Sequence, residues 1–541
     1  MATIEIARKS PPVRSRGVVL LALCSAALII NIDVTIVNVT LPSLVRELGA
    51  STTSLQWIVD AYTLVFAALI LAAGSVSDRV GRKGLLLAGL AVFGIGSLAG
   101  ALSTGVNELI ASRALMGIGA ACIFPSTLSL IANVFTDRTE RAKAIGLWGA
   151  TTGVGVATGP IVGGWLLENF WWGSVFLFMV PLAAVIAIAI AFTVPTSKDP
   201  NVRPLDRPGL LLSSAGMGAV VFGIIQAPDW GWGSAATFVT LAIGVGILAL
   251  FVDVERRRES PMLDVRLFRN PRFTAASGSI TIGFFVLAGF TFLMSQYFQF
   301  VQGYSPLGTG VRLLPVATSI AIAAVVGTKL AVRVGNKAVV ATGLAMFGTG
   351  VLWISTVSGS TSYIEIVGQM LLAGGGLGLI TAPATEAVMG AVPIEKAGVG
   401  SAVNDATRLF GAALGVAVIG SVAASLYQSR LGRNLPPDLP PAAAHAAKSS
   451  VGSALIAAQQ LRAAGLTAPA RVLNAGAVDA FLHSLQGSLI VAGVIALFGS
   501  VLALALLPAR PRNVAATEPE PSIAVEPEPE CQLEEVPAFA D

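Results

Sequence analysis

Six charged residues stand inside stretches of sequence that are otherwise apolar: Asp33, Asp60, Arg113, Glu386, Asp405 and Arg408. A charge at the centre of a membrane helix costs roughly 2.5–3.5 kcal/mol on the insertion scale, so residues kept there usually have a function. For a carboxylate that function is proton carriage. Loss of hydration favours the neutral acid and a neighbouring arginine favours the ion, so one group can load and release a proton as its surroundings change. With the N-terminus on the inner side, Asp33 lies ~24 Å along the first apolar run, in its outer half, counting roughly 1.5 Å per residue from Gly17. Asp60 and Arg113 lie several residues into runs entered from outside, so the three share an outer depth. Glu386 and the Asp405/Arg408 pair lie nearer the inner side. The pair is three residues apart on one helical face and reads equally as a structural contact. His445 and His483 fall in or beside a long loop and are poor candidates for a proton relay within the membrane.

The elements that would position these groups are membrane helices. Of 541 residues, 54% are hydrophobic and 12% charged, against roughly 25% charged in soluble chains. Apolar runs of about 18–25 residues recur, each long enough to cross a bilayer as a helix. Six come first: Gly17–Thr40, Leu55–Ala73, Gly84–Leu102, Leu109–Ala132, Ala142–Leu167 and Val175–Val194. A pair follows at Gly209–Ala227 and Ala235–Val252. Six more occupy Thr274–Val301, Gly308–Leu330, Ala338–Val357, Ile364–Met389, Gly398–Leu426 and Gly487–Leu507. The first run is too long for a signal peptide, contains Asp33 and lacks a small-residue cleavage site. Cys24, Cys122 and Cys531 make neither a disulfide framework nor a metal-ligand spacing.

Basic residues give the orientation. Arg79, Arg82, Lys83, Arg138, Arg141, Lys143, Lys198, Arg256, Arg257, Arg258, Arg333, Lys337 and Lys396 all fall between runs on one side. The short loops of the other side hold little beyond Arg46. The positive-inside rule then puts residues 1–16 and the C-terminus in the cytoplasm of a multi-pass plasma-membrane protein. The loop 428–484 lies outside, its leucines Leu455 and Leu461 spaced for a short amphipathic helix. The Pro/Glu-rich tail 513–541 has the composition of a disordered, acidic cytoplasmic segment. Arg79-x-Gly81-x-Lys83 is echoed by Arg333-x-Gly335-x-Lys337, and Gly117 and Pro125 by Gly375 and Pro383. Such repeats divide the chain into bundles at 17–194 and 274–508, with 209–252 as an inserted pair.

Four segments together resemble the major facilitator superfamily, in particular its fourteen-helix drug:proton antiporter branch. They are Asp33-Val-Thr35-Ile-Val-Asn38-Val-Thr-Leu-Pro42; Gly74-Ser-Val-Ser-Asp78-Arg79-Val-Gly81-Arg82-Lys83; Arg113-Ala-Leu-Met-Gly117-Ile-Gly119; and Gly146, Gly155, Gly159-Pro160 and Gly163-Gly164. Gln296-Tyr297-Phe298-Gln299 and Asn404-Asp405-Ala-Thr-Arg408 also look like this branch. The resemblance implies an all-α integral membrane fold of two six-helix bundles plus an inserted pair. It implies that Asp78 latches onto the helix start near Gly398 to Gly400, and that the glycine/proline motif marks an exporter; topology fixing and ordinary small-residue packing are the plainer readings of these two motifs.

Proton coupling is expected from Asp33, Asp60, Arg113 and Glu386. A substrate cavity is expected around Trp57, Tyr62, Gln296, Tyr297, Asn404 and Asp405, where acidic groups and aromatic rings suit cations. The expected partners are protons, small lipophilic or cationic compounds and membrane lipid. No cofactor, metal or nucleic-acid partner is expected, and no oligomeric state is implied. No Gly-x4-Gly-Lys-Ser/Thr loop is present, and Gly94-x-Gly96-x-x-Ala99 lies within an apolar run with no strand before it, so the chain reads as a transporter rather than an enzyme. Export of a single endogenous metabolite, or a non-transporting membrane sensor, are the alternatives.

Overall fold

The structure, a computed structural model, describes residues 13–198, 206–258, 261–391, 397–433, 435 and 439–507. Side chains at 13–15, 138, 142 and 397–399 are excepted. The N-terminus through residue 12, Lys396 and the tail from 513 lie outside the described residues, and the expected latch target Gly398 to Gly400 includes Val399, one of the excepted side chains.

Six helices come first: α1 (Val13–Leu48), α2 (Thr52–Val80), α3 (Arg82–Ala101), α4 (Val106–Val134), α5 (Arg138–Asn169) and α6 (Ser174–Thr193). The inserted pair is α7 (Arg207–Trp230) and α8 (Ala235–Arg257). Then follow α9 (Pro271–Gln296), α10 (Pro306–Arg312), α11 (Leu314–Val334), α12 (Asn336–Ile354), α13 (Tyr363–Met389) and α14 (Ala397–Arg433). Last come α15 (Pro441–Ser449), α16 (Val451–Ala463) and α17 (Thr467–Leu506). Among the described residues fourteen spans are long and apolar enough to cross a membrane, with α10 and α11 forming one of them.

Short polar residues start these helices. Side chains of Ser51, Asp137, Ser234 and Asn270 accept hydrogen bonds from first-turn amides of α2, α5, α8 and α9, satisfying donors with no partner inside the helix. The repeated Arg-x-Gly-x-Lys segments make matching turns. Gly81 between α2 and α3 has φ 116° and Gly335 between α11 and α12 has φ 89°, a backbone region open mainly to glycine.

Glycine also sets how closely helices approach. A Cβ on Gly155 would overlap Asn31, one on Gly159 would overlap Thr35, and one on Gly163 would overlap Ile36. These glycines, four residues apart, form a groove on α5 that receives α1. The pair α7–α8 packs on itself, and α7 reaches α2 and α14 through Val221 and Ile225 against Leu64 and Ala417.

Two sequence expectations need correction, and two of the expected spans carry internal irregularities. The last span begins at Thr467, well before Gly487, and the expected outer loop holds two helices, α15 and α16, rather than one. Its alanines favour helix, and Leu461 and Ala454 are buried where α16 meets α17. The tenth run breaks at Leu313, where Pro315 in the first turn of α11 removes a backbone donor. The ninth run ends in one π-helical turn, Tyr297–Val301.

Candidate functional site: a central cavity and a buried ion pair

Residues from α1, α2 and α5 face residues from α9, α11 and α14 across a cavity of about 150 Å³. One wall carries Asn31, Thr35, Asn38, Thr63 and Thr152, with Pro160 inside α5. The other wall carries Phe284, Leu287, Ala288, Val316, Ile320 and Val416. No charged side chain lines it among the described residues.

The cavity is sealed at the end opposite the basic turns. Ser295 Oγ donates to the Asn38 carbonyl at 2.6 Å, and Gln299 Nε2 to the Val39 carbonyl at 2.9 Å. Gln56 Nε2 donates to the Val416 and Ala417 carbonyls at 3.1 and 2.9 Å. The Leu307 amide reaches Glu168 Oε1 at 3.2 Å, and Thr52 Oγ1 reaches the Ser449 carbonyl at 3.1 Å. A Cβ on Gly164 would overlap the backbone of Leu307. At the basic end, among the described residues, no hydrogen bond or ion pair joins the first six helices to α9–α17. There α5 is uncovered, and a Cβ on Gly146, Gly149 or Gly153 would meet nothing within 4 Å.

Asp33 and Arg113 meet directly behind the α1 wall. Arg113 Nη1 lies 2.9 Å from Asp33 Oδ1 and 2.8 Å from Oδ2, and each side chain is 1% exposed. The Nε donates to the Ile58 carbonyl at 3.1 Å, and the guanidinium carbon sits 4.3 Å from the Tyr62 ring centre and 5.9 Å from that of Phe176. One arginine on α4 therefore ties α1 to α2. Losing one partner of such a buried pair costs about 3–5 kcal/mol, because a charge is left without its counter-ion.

The other expected site residues are dispersed. Asp60 is fully buried, but among the described residues neither carboxylate oxygen has a hydrogen-bond partner; Arg113 reaches α2 through Ile58, so the three outer charges are not one unit. Trp57 faces Phe222 of α7, with ring centres 5.8 Å apart, and Tyr62 lies under Arg113. Gln296 donates to the Phe292 carbonyl of its own helix and Tyr297 to the Ser358 carbonyl. Asn404 accepts from Thr385, and Arg408 donates to Thr385 and sits 5.4 Å from the Phe284 ring centre. Asp405 interacts with Arg408 through charge, and among the described residues no contact ion pair joins them. None of these residues lines the cavity. Glu386 is exposed. Asp78 pairs with Arg82, four residues on, at 2.9 Å.

Sequence reasoning passed over Gln56, Asn31, Thr63 and Ser295, and met Gln299 only as part of a resembling segment. An uncharged polar residue in a membrane run is the signal that finds them, but it is weak because serine and threonine bond their own helix at little cost. It also passed over Asp206, which starts α7 and accepts from the Gly209 amide at 3.0 Å, the Met262 amide at 3.3 Å and Arg258 at 2.8 Å. Burial opposes its charge. Hydrogen bonds from the Glu255 carboxyl and from the Gly209 and Met262 amides, together with Arg258, outweigh burial and hold its carboxyl below the usual range.

Comparison with known proteins agrees with this architecture. Residues 23–416 match the model of the Major Facilitator Superfamily. The multidrug efflux pump LfrA of Mycolicibacterium smegmatis is 37% identical over 450 residues, covering 83% of this chain and 89% of that protein. The multidrug resistance protein Stp of Mycobacterium tuberculosis is 34% identical over 418 residues, covering 77% and 78%. A bacterial homolog of the human lysosomal transporter Spinster, solved inward-facing and unoccupied, shares the fold at 16% identity, with a TM-score of 0.64 over 92% of this chain and 99% of that one.

Proposed function

The chain belongs to the major facilitator superfamily, and on that premise we propose that it is a proton-coupled multidrug efflux antiporter, exporting lipophilic or cationic compounds by alternating access. Its relatives LfrA and Stp are named for multidrug efflux and resistance. The central cavity, with hydrogen bonds closing one end and, among the described residues, none joining the halves at the other, is the observation that carries the reading, because alternating access needs a site that faces one side at a time.

The basic turns belong in the cytoplasm by the positive-inside rule, so the described state is open inward and closed outward. Asp33 is the proposed proton carrier. While it is ionised, Arg113 holds α1 to α4 and, through Ile58, to α2. A proton on Asp33 removes the counter-ion and loosens α1. The same helix supplies the Asn38 and Val39 carbonyls that seal the outer end, so the proton's effect reaches the gate along one rigid element. Asp60, buried without a hydrogen-bond partner among the described residues, is the second carboxylate that can take a proton. The α5 groove lets α1 and α5 move as one body.

Purified protein in proteoliposomes with an imposed pH gradient tests this. Efflux of a lipophilic dye that follows the gradient and stops with a protonophore supports the reading; movement indifferent to the gradient, or none, counts against it.

A further inference from the structure

The two halves meet along two seams, α2 against α14 and α5 against α10 and α11. Behind the first, on the side away from the cavity, lies α7. Its Val221 and Ile225 pack on Leu64 of α2 and Ala417 of α14. Ser421 Oγ of α14 donates to the Ile224 carbonyl at 2.9 Å, and Asp229 accepts from Thr53 of α2 at 3.1 Å and from Gln428 of α14 at 3.3 Å. The inserted pair therefore closes this seam toward the bilayer. Among the described residues no helix lies across the second seam in this way.

At about 100° per residue, Gly146, Gly149, Gly153, Pro160 and Gly164 fall along one face of α5. The outer part of that face is covered by α10, through Pro160 against Gly310 and Gly164 against Leu307. The inner part is bare, since a Cβ on Gly146, Gly149 or Gly153 would meet nothing within 4 Å. To one side of this face Thr152 and Val156 line the cavity; to the other side Val154 and Trp165 are 49% and 51% exposed. On α11, Ala317 lines the cavity, and Ala321 and Thr328, further inward on the same face, are exposed. An uncovered path thus joins the cavity to the bilayer side. Its glycines lie roughly 6–17 Å beyond Ala142 along α5, within the inner half of a hydrocarbon core of about 30 Å.

We propose that lipophilic substrates enter the cavity sideways from the inner leaflet, between α5 and α11, while α7 bars the matching seam between α2 and α14. The proposal rests on the efflux reading and adds the route to it. A lipophilic molecule concentrates in the bilayer, and a sideways entry spares it the return to water that its apolar surface opposes. The same molecule then meets the apolar wall of Leu313, Val316 and Ile320 without leaving an apolar surrounding.

Gly149→Trp puts a large side chain in this path, at a position with room for it. Gly149→Ala and Gly149→Leu give smaller sizes, and Ile188→Trp on the exposed face of α6 is the control. Binding of rhodamine 6G, a lipophilic cationic dye, to the full chain in lipid nanodiscs is followed by stopped-flow anisotropy. A doorway sets the speed of passage and leaves the bound state alone. Association and dissociation should therefore both slow about tenfold in Gly149→Trp, and less with the smaller side chains, with affinity and the control unchanged. Bimane on Gly149→Cys, in a background without the native cysteines, reports what fills the path; quenching by lipid with brominated acyl chains, and little by iodide, is expected. Native rates in Gly149→Trp, a loss of affinity equal to the fall in association rate, or quenching by iodide alone overturns the proposal. Gly149→Leu gives the same readout if the tryptophan variant does not accumulate. If a pH gradient drives export of the dye while Gly149→Trp binds it at native speed, the route falls and efflux stands. If the native protein neither binds nor exports a lipophilic dye, both fall.

Discussion

Pro160 on α5 and Gly310 on α10 meet backbone against backbone: a Cβ on Gly310 would overlap the Pro160 carbonyl. Glycine clears α10 at this point, so here the two halves approach main chain to main chain. A side chain placed there must push the outer ends apart. Gly310→Val is therefore expected to favour the outward-open form, by about 1–3 kcal/mol if strain resembles ordinary overpacking. Cysteine labelling from outside intact cells at Thr291, which lines the cavity, should speed up in Gly310→Val. Unchanged labelling would mean that the outer seal does not depend on this contact.

The ion pair makes a sharper forecast. Asp33→Asn should abolish gradient-driven efflux, because it removes the proposed carrier, and should also lower thermal stability by stranding Arg113. Arg113→Gln strands Asp33 in the same way. The double variant leaves no unpaired charge, so it should regain stability relative to either single change by about 2–3 kcal/mol while remaining uncoupled. Melting curves of the three detergent-solubilised proteins decide. Additive losses would show that the two side chains act apart.

Orientation is tested by labelling in a background without Cys24, Cys122 and Cys531. Ala442→Cys in α15, an exposed position, should react with an impermeant maleimide added to intact cells. Ala515→Cys should react only after the membrane is opened. The reverse pattern would invert the state assigned here and send the proposed flux the other way.

Asp206 gives a pH-dependent prediction. Its carboxyl titrates below the ordinary aspartate range, so its contribution is complete above the unfolded-state value and is lost as pH falls through the lower folded-state value. The native protein should lose this clasp between α7, Arg258 and Met262 only in acid, below about pH 4. Asp206→Ala removes both the helix cap and the clasp, and should cost roughly 1–2 kcal/mol at neutral pH. Melting temperatures of the two proteins at pH 7 should differ and should converge as the medium is acidified. A constant gap would remove Asp206 from this role.

Much of the architecture was readable because membrane helices announce themselves by length and apolarity, and the glycines of α5 by their spacing. Asp33 and Arg113 could be matched because both are charges, rare in such runs, and depth along each helix is countable. Facing is harder to read. Trp57 and Tyr62 sit five residues apart on α2, yet one turns to α7 and the other to Arg113, and neither reaches the cavity. With apolar residues on every side of a membrane helix, periodicity does not say which face meets protein, lipid or cavity. Asn31 and Thr63 escaped for that reason. In the outer segment the leucines Leu455 and Leu461 pointed to one helix, which is α16; α15 escaped because its short alanine-rich stretch carries no apolar spacing to mark it.

The turn between α2 and α3 yields the last prediction. Asp78 stands at the C-terminal end of α2, where the helix dipole disfavours a negative charge, and Arg82 neutralises it at 2.9 Å. In the state described, the halves are apart at this end, so Arg82 is the partner at hand. When the cytoplasmic end closes, the start of α14 becomes available, and exchanging Arg82 for that helix N-terminus would stabilise the outward-open form. Two variants separate a latch from a brace. If the pair only braces the turn, Asp78→Asn and Arg82→Gln should lower turnover alike. If Asp78 latches the closed end, Asp78→Asn should lower turnover about tenfold, while Arg82→Gln frees the carboxylate and costs less. In either case dye affinity should stay near that of the native protein, because neither residue lines the cavity. Single-turnover efflux and equilibrium dye binding on both variants give the answer; equal loss of affinity and turnover in Asp78→Asn would reject the latch.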